Sequence, residues 1–249
     1  MFIALSFASL ALFGQTRRKG QQRLSAVRVP FVPCKSDGQA GPVDAPPKVE
    51  KLVNVDPVVA QKLAYYESSV TQGLLAPRGW YCFGVYGSDG SHFYVRPEPI
   101  DETHPFPQPE ITGRVIKFSH TWGQGSGRLQ VAQVVARVFP KHRDYVRRVI
   151  DLFDFLASEI TYGPYQTDKL TYRSDDVVEY VTPPNSNGLG TMSYIKPSNE
   201  SIEGFAMLQD GTTPDLLLLV VRLPPEMQAL KSQIIQYTER EAITQPSER

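Results

Sequence analysis

Trp80-Tyr81-Cys82-Phe83-Gly84-Val85-Tyr86 and His92-Phe93-Tyr94-Val95 are two aromatic, strand-favouring runs on either side of Gly87-Ser88-Asp89-Gly90. An Asp-Gly pair between such runs predicts a β-hairpin, because the tight loop needs a residue that accepts positive φ. Trp80, Phe83, Tyr86, Phe93 and Tyr94 would serve either as a ligand platform or as a half-buried sheet face, and packing is the preferred reading. The same pattern recurs toward the C-terminus. Lys169 to Arg173 and Val177 to Thr182 alternate around Ser174-Asp175, and Ile202 to Leu208 faces Leu216 to Arg222 across Asp210-Gly211. Leu216 to Val221 is continuously apolar, which predicts a strand covered on both faces. Ile111 to Ser119 reads as one further strand.

Helical spacing separates these hairpins. Asp56 followed by Pro57 has the form of a helix start, and Val59, Leu63, Tyr66 and Val70 then share one face up to Gly73. Val131, Val134, Val135 and Val138 predict a short helix stopped by Pro140. Tyr145, Val149, Leu152, Phe153 and Leu156 predict another. After Pro224-Pro225, Met227, Leu230, Ile234 and Tyr237 form one face of a terminal helix, with Ile235 and Ile243 left over. The expected fold class is therefore α+β, an antiparallel sheet built from hairpins and covered by several helices. Parallel β-α-β alternation is disfavoured, since the strongest turns join neighbouring strands by only a few residues.

The chain has 249 residues, 41% hydrophobic and 21% charged, with 26 basic and 26 acidic side chains. This profile excludes collagen-like, coiled-coil and wholly disordered chains. A compact domain of this size buries roughly 70 to 75% of its unfolded surface, so a core needs no structural metal. The charge is unevenly placed: residues 1–30 carry five basic and no acidic residues, which leaves the remainder mildly acidic. No nucleic-acid partner is expected, because such domains are usually basic.

Met1 to Phe13 is an apolar run about 20 Å long as a helix, short of the roughly 30 Å bilayer core. It suits a signal-peptide core better than a membrane span, and Ser9-Leu10-Ala11 has the small-x-small form of a cleavage site. No basic residue precedes the run, whereas Arg17, Arg18, Lys19, Arg23 and Arg28 follow it, which opposes export by the positive-inside rule. An export signal, a membrane-associating segment and a buried segment of a cytosolic protein all stay open, with export preferred. Periplasmic or secreted location is the expectation, with no transmembrane span in the mature domain. The organisation expected is a leader at 1–29, a proline-rich arm at 30–55, one α+β domain at 56–243 and a flexible tail at 244–249. Six prolines between Pro30 and Pro57 give the arm its extended reading, and five between Pro97 and Pro109 mark an irregular surface loop.

A wider set of segments carries a resemblance. Cys34-Lys35-Ser36-Asp37-Gly38-Gln39, Leu63-Ala64-Tyr65-Tyr66, Leu75 to Gly84 and Tyr86-Gly87-Ser88 resemble an uncharacterised group of exported bacterial proteins. Val138-Phe139-Pro140, Tyr162-Gly163-Pro164-Tyr165, Asp168 to Tyr172, Gly188 to Thr191 and Val221 to Glu226 are similar to that group as well. The resemblance covers most of residues 31–243 and implies export. The group has no assigned activity, so no catalytic role carries over. Its members carry an ordinary signal peptide, and the absence of basic residues ahead of the apolar run departs from that pattern.

The chain has two cysteines, Cys34 and Cys82. In an exported protein an even pair reads as one disulfide, which is the preferred reading. Inert buried thiols and a Cys82 nucleophile activated by His92, His104, His120 or His142 are the alternatives. No catalytic, cofactor or metal signature stands out, and none is predicted. Gly123 to Arg128 fits neither phosphate-binding glycine motif and reads as a strand-to-helix loop. Ser126 lies in no nucleophile-elbow frame. Glycosidase carboxylates drawn from Asp89, Glu98, Glu179 or Asp210 would be an arbitrary choice. For a calcium or magnesium site Asp175-Asp176 is the nearest acidic pair, and a turn is its preferred reading. Lys141, Arg143 and Arg147 form a basic helix end, the candidate contact for an anionic ligand or protein partner. Its competitor is a solvated face tied by the Asp144–Arg148 and Arg147–Asp151 pairs. The leading expectation is a non-catalytic binding or structural domain. An exported hydrolase with a loop-built site is the alternative.

Overall fold

The aromatic hairpin forms as read: Tyr81–Gly87 pairs antiparallel with Gly90–Arg96, and Gly90 takes a φ of 137° at the turn. The computed structural model describes residues 24–100, 110–192, 194–209 and 211–244. Met1 to Phe13, most of the 97–109 loop, Asp210 and residues 245–249 of the tail lie outside the described residues. The strands are β1 (Ser25–Val29), β2 (Phe31–Cys34), β3 (Ser36–Gly38), β4 (Lys51–Val55), β5 (Leu63–Ser68), β6 (Thr71–Pro77), β7 (Tyr81–Gly87) and β8 (Gly90–Arg96). They continue as β9 (Val115–Thr121), β10 (Lys169–Tyr172), β11 (Val177–Thr182), β12 (Ile202–Gln209) and β13 (Asp215–Arg222). The helices are α1 (Pro57–Ala60), α2 (Arg128–Val138), α3 (Arg143–Leu152) and α4 (Gln228–Thr244).

The fold is α+β. One eight-stranded sheet runs β10-β11-β12-β13-β9-β8-β7-β3, antiparallel except where β3 joins β7 in parallel. A three-stranded sheet, β2-β5-β6, also contains one parallel pair, and β1 and β4 form a two-stranded ribbon. The all-antiparallel expectation is corrected at these two joints. Both involve residues 31–38, where the chain runs extended between neighbours that present unpaired edges. The proline-rich arm accordingly supplies strands; Pro33 is tolerated because β2 is an edge. Closeness at the β3–β7 joint explains Gly84: a Cβ there would stand 2.3 Å from Ser36 Oγ.

The large sheet divides two cores. Leu217, Leu219 and Val221 of β13 pack toward α4 and the three-stranded sheet, whereas Leu216, Leu218 and Val220 pack toward α2 and α3. All eight residues of β13 are buried, as its unbroken apolar run implies. Lys231 of α4 is 2% exposed and reaches Glu203 of β12 at 2.9 Å, pinning that helix to the sheet. Because the Glu203 side chain keeps 24% of its exposure, the pair is partly screened. Lys231→Ala should destabilise the protein by about 2 kcal/mol, less than the full cost of orphaning a buried charge. Denaturant titration checks it.

Two helix expectations are corrected. Asp56 does cap a helix, accepting from the Val58 and Val59 N–H groups, but α1 lasts one turn and Leu63 onward is β5. Leu63, Ala64, Tyr65 and Tyr66 are all buried, so both sides of this segment are covered, and pairing with β2 and β6 outweighs the helical spacing. Helix α3 stops at Leu152, before Leu156. Phe153 leaves the helix to lie 6.1 Å from Phe155 and under the Arg128 guanidinium.

Candidate functional site

Along β8 and β9 every second side chain faces the α2 side of the sheet. The register sets His92 opposite Ser119 and Tyr94 opposite Lys117, so four side chains of these strands form a compact square. The sheet continues into β13, where Leu216 and Leu218 extend the floor. Helix α2 crosses above with Gln130 and Gln133, and Met192 and Tyr194 close one side. The result is a pocket of about 410 Å³. Tyr194 has a φ of 60°, a left-handed backbone that aromatic residues seldom adopt.

Ser119 Oγ lies 3.0 Å from His92 Nδ1. His92 Nε2 in turn lies 3.8 Å from Asp89 Oδ2, an ion-pair separation longer than a hydrogen bond. Asp89 sits in the β7–β8 turn, and its carbonyl accepts from the Trp122 N–H, which fixes the turn against the end of β9. The His92 ring is the main influence holding the Asp89 carboxyl below its ordinary range. Burial pushes His92 down, so the neutral ring is favoured. A carboxylate beside Nε2 favours a proton on that nitrogen and leaves the Nδ1 lone pair to accept from the Ser119 hydroxyl.

Lys117 is the unusual member. It is 2% exposed, with Nζ 5.5 Å from the centroid of the Tyr94 ring. Among the described residues no carboxylate stands within salt-bridge distance of it. Burial lowers its pKa to about 8, opposed by attraction from Asp89. Burial likewise raises the Tyr94 phenol, so that ring stays neutral. An ammonium that keeps its charge at neutral pH faces a pocket lined by hydroxyls, amides and aromatic rings. An anion there would offset the cost of burying that charge.

The disulfide reading holds: Cys34 and Cys82 are bonded, with Cα atoms 5.6 Å apart. The bond ties the end of β2 to β7 and so joins two sheets. Cys82 is therefore not a free nucleophile, and the inert-thiol reading falls with it. At the basic helix end, Lys141 meets Asp175 at 2.7 Å, Arg147 pairs with Asp144, and Arg143 lies over the Tyr162 ring. Arg148 donates to the Thr212 carbonyl in place of the expected pair with Asp144. None of these residues lines the pocket; Lys141 and Arg147 have carboxylate partners within the chain, and Arg143 has the ring contact. Gly123 to Arg128 is the strand-to-helix loop expected, leading from β9 into α2. Among the described residues no cluster of three His, Cys, Asp or Glu side chains is placed to hold a metal, and no helix is long and apolar enough to cross a membrane.

Sequence reasoning did not single out Lys117 or Ser119; beyond their places in the hairpin, it weighed His92 as an activator of Cys82 and Asp89 as one of four arbitrary carboxylates. Lys117, Ser119 and Thr121 alternate with Ile116 and Phe118, which looks like a strand with one wet face. The usable signal was β13: a strand apolar on both sides implies a sheet covered on both sides, so a polar stripe on its neighbour is buried. Comparison with known proteins supplies no relative: no family model, no curated protein and no solved structure matches the chain significantly.

Proposed function

We propose that this is an exported binding domain that holds a small organic monocarboxylate in the pocket centred on Lys117. The observation that carries the reading is a buried ammonium facing a cavity with no carboxylate of the described chain in salt-bridge contact. Desolvating such a charge is costly, and a bound anion compensates for it. Among the described lining residues Lys117 is the one cation, and with the nearby Asp89 it suits a single negative charge better than a phosphate dianion, for which paired arginines or free backbone N–H groups are the usual receivers. Tyr94, Tyr194 and the leucines of β13 suit an apolar or aromatic body. Export is supported by the disulfide, a bond that persists in oxidising compartments.

The test is a thermal-shift panel of short and aromatic monocarboxylates, with benzoate and its neutral counterpart benzamide as the reference pair. Carboxylates should raise the melting temperature where amides do not, and Lys117→Met should abolish the difference. If no carboxylate stabilises the wild type more than the variant, the reading is wrong. The pH dependence has a defined sign. Only the protonated amine attracts the anion, so affinity is steady below about pH 8 and falls about tenfold per pH unit above it. Titration calorimetry with benzoate at about pH 7 and pH 9.5 should differ by roughly 30-fold in Kd.

A further inference from the structure

We infer that the pocket also has a hydrolytic activity, with Ser119 as nucleophile and His92 as general base, toward esters that carry a carboxylate. The inference rests on the binding reading for substrate placement and on a separate set of contacts for the chemistry. Ser119 Oγ is within hydrogen-bond reach of His92 Nδ1, and Asp89 stands on the far side of the same ring. A nucleophile, a base and an orienting carboxylate in that sequence are the elements of acyl transfer. Ser119 and Lys117 both line the cavity, two residues apart on one face of β9. That step is about 6.7 Å along a strand. A substrate whose carboxylate meets Lys117 therefore has its ester group in the same cavity as the Ser119 hydroxyl.

The step balances without a cofactor. Ser119 Oγ bonds to the acyl carbon as its proton passes to His92 Nδ1, and the ester C–O bond breaks as the leaving oxygen takes that proton. Water then attacks the acyl-serine, gives a proton to His92 and releases the acid, and His92 returns the proton to Ser119. Asp89 steadies the transiently charged ring.

The probe is 4-acetoxybenzoate, which carries a carboxylate and an ester on one rigid ring, and its methyl ester is the neutral control. The wild type should hydrolyse the acid with saturation, with kcat/KM at least about tenfold above the methyl ester. Peptide mapping after a rapid quench should place one acetyl group on Ser119. Ser119→Ala should lose at least about 100-fold in turnover with its melting temperature within a few degrees of the wild type, and His92→Gln should also lose it. Turnover that survives in Ser119→Ala, or an acetyl group found on Lys117 instead, would overturn the assignment. If benzoate binds the wild type and no ester is cleaved, the hydrolytic inference fails and the binding reading stands; if benzoate does not bind, both fail.

Discussion

Lys117→Met should make the protein more stable and functionally empty. In the folded chain the Lys117 pKa is about 8, against about 10.4 for an unfolded lysine. The gap corresponds to roughly 3 kcal/mol of desolvation cost carried by the native state. Below pH 8 both states hold the proton and the whole cost is present. Between about pH 8 and 10.4 the unfolded state binds more protons than the native one, so wild-type stability from this group rises with pH. Methionine keeps much of the volume and removes the charge. Thermal unfolding near pH 7 should therefore rise by about 5 to 10 °C in the variant, and the advantage should shrink as pH approaches 10. A core lysine with no such cost would give the reverse, a loss on substitution. The combination of higher stability with lost carboxylate binding is the trade expected where a strained group is kept for its site.

Breaking the disulfide should have the opposite sign and a comparable size. Cys34 and Cys82 are 48 residues apart in sequence. Closing such a loop removes about 4 kcal/mol worth of unfolded-state entropy in the chain-entropy account. Cys34→Ser with Cys82→Ser should lower the melting temperature by about 10 °C. The bond joins the three-stranded sheet to the large sheet by way of β2 and β7. The Lys117 pocket opens on the α2 side of the large sheet. Below its melting temperature the double variant should bind benzoate as the wild type does. A melting temperature unchanged by the double substitution, or benzoate affinity lost while the fold is intact, would contradict this division of roles.

The hairpins were legible because their information is local. A glycine at a positive-φ turn, or alternation across a short loop, is decided within about fifteen residues, and Gly90 and the β10–β11 pair behave accordingly. Long-range pairing was not legible. Nothing near Leu63 to Tyr66 announces that β2, some thirty residues earlier, lies beside it in parallel. The spacing there suits one face of a helix, while the burial of adjacent Tyr65 and Tyr66 favours a strand. The pocket failed to show for a similar reason. Lys117 and Ser119 acquire their meaning from β8, β13 and α2, which roof and wall them, and a lysine in an alternating strand looks solvated until its cover is known. The cysteines escaped this difficulty, since an even pair carries its own chemical expectation.

The most direct measurement follows the Lys117 side chain itself, by NMR of isotope-labelled lysine, with Lys117→Met identifying the signal. In the free protein that signal should titrate near pH 8, and saturating benzoate should move the midpoint upward as the anion stabilises the ammonium. A Lys117 signal that titrates near the ordinary lysine value of about 10.4, and is unmoved by benzoate or any other monocarboxylate of the panel, would contradict the account.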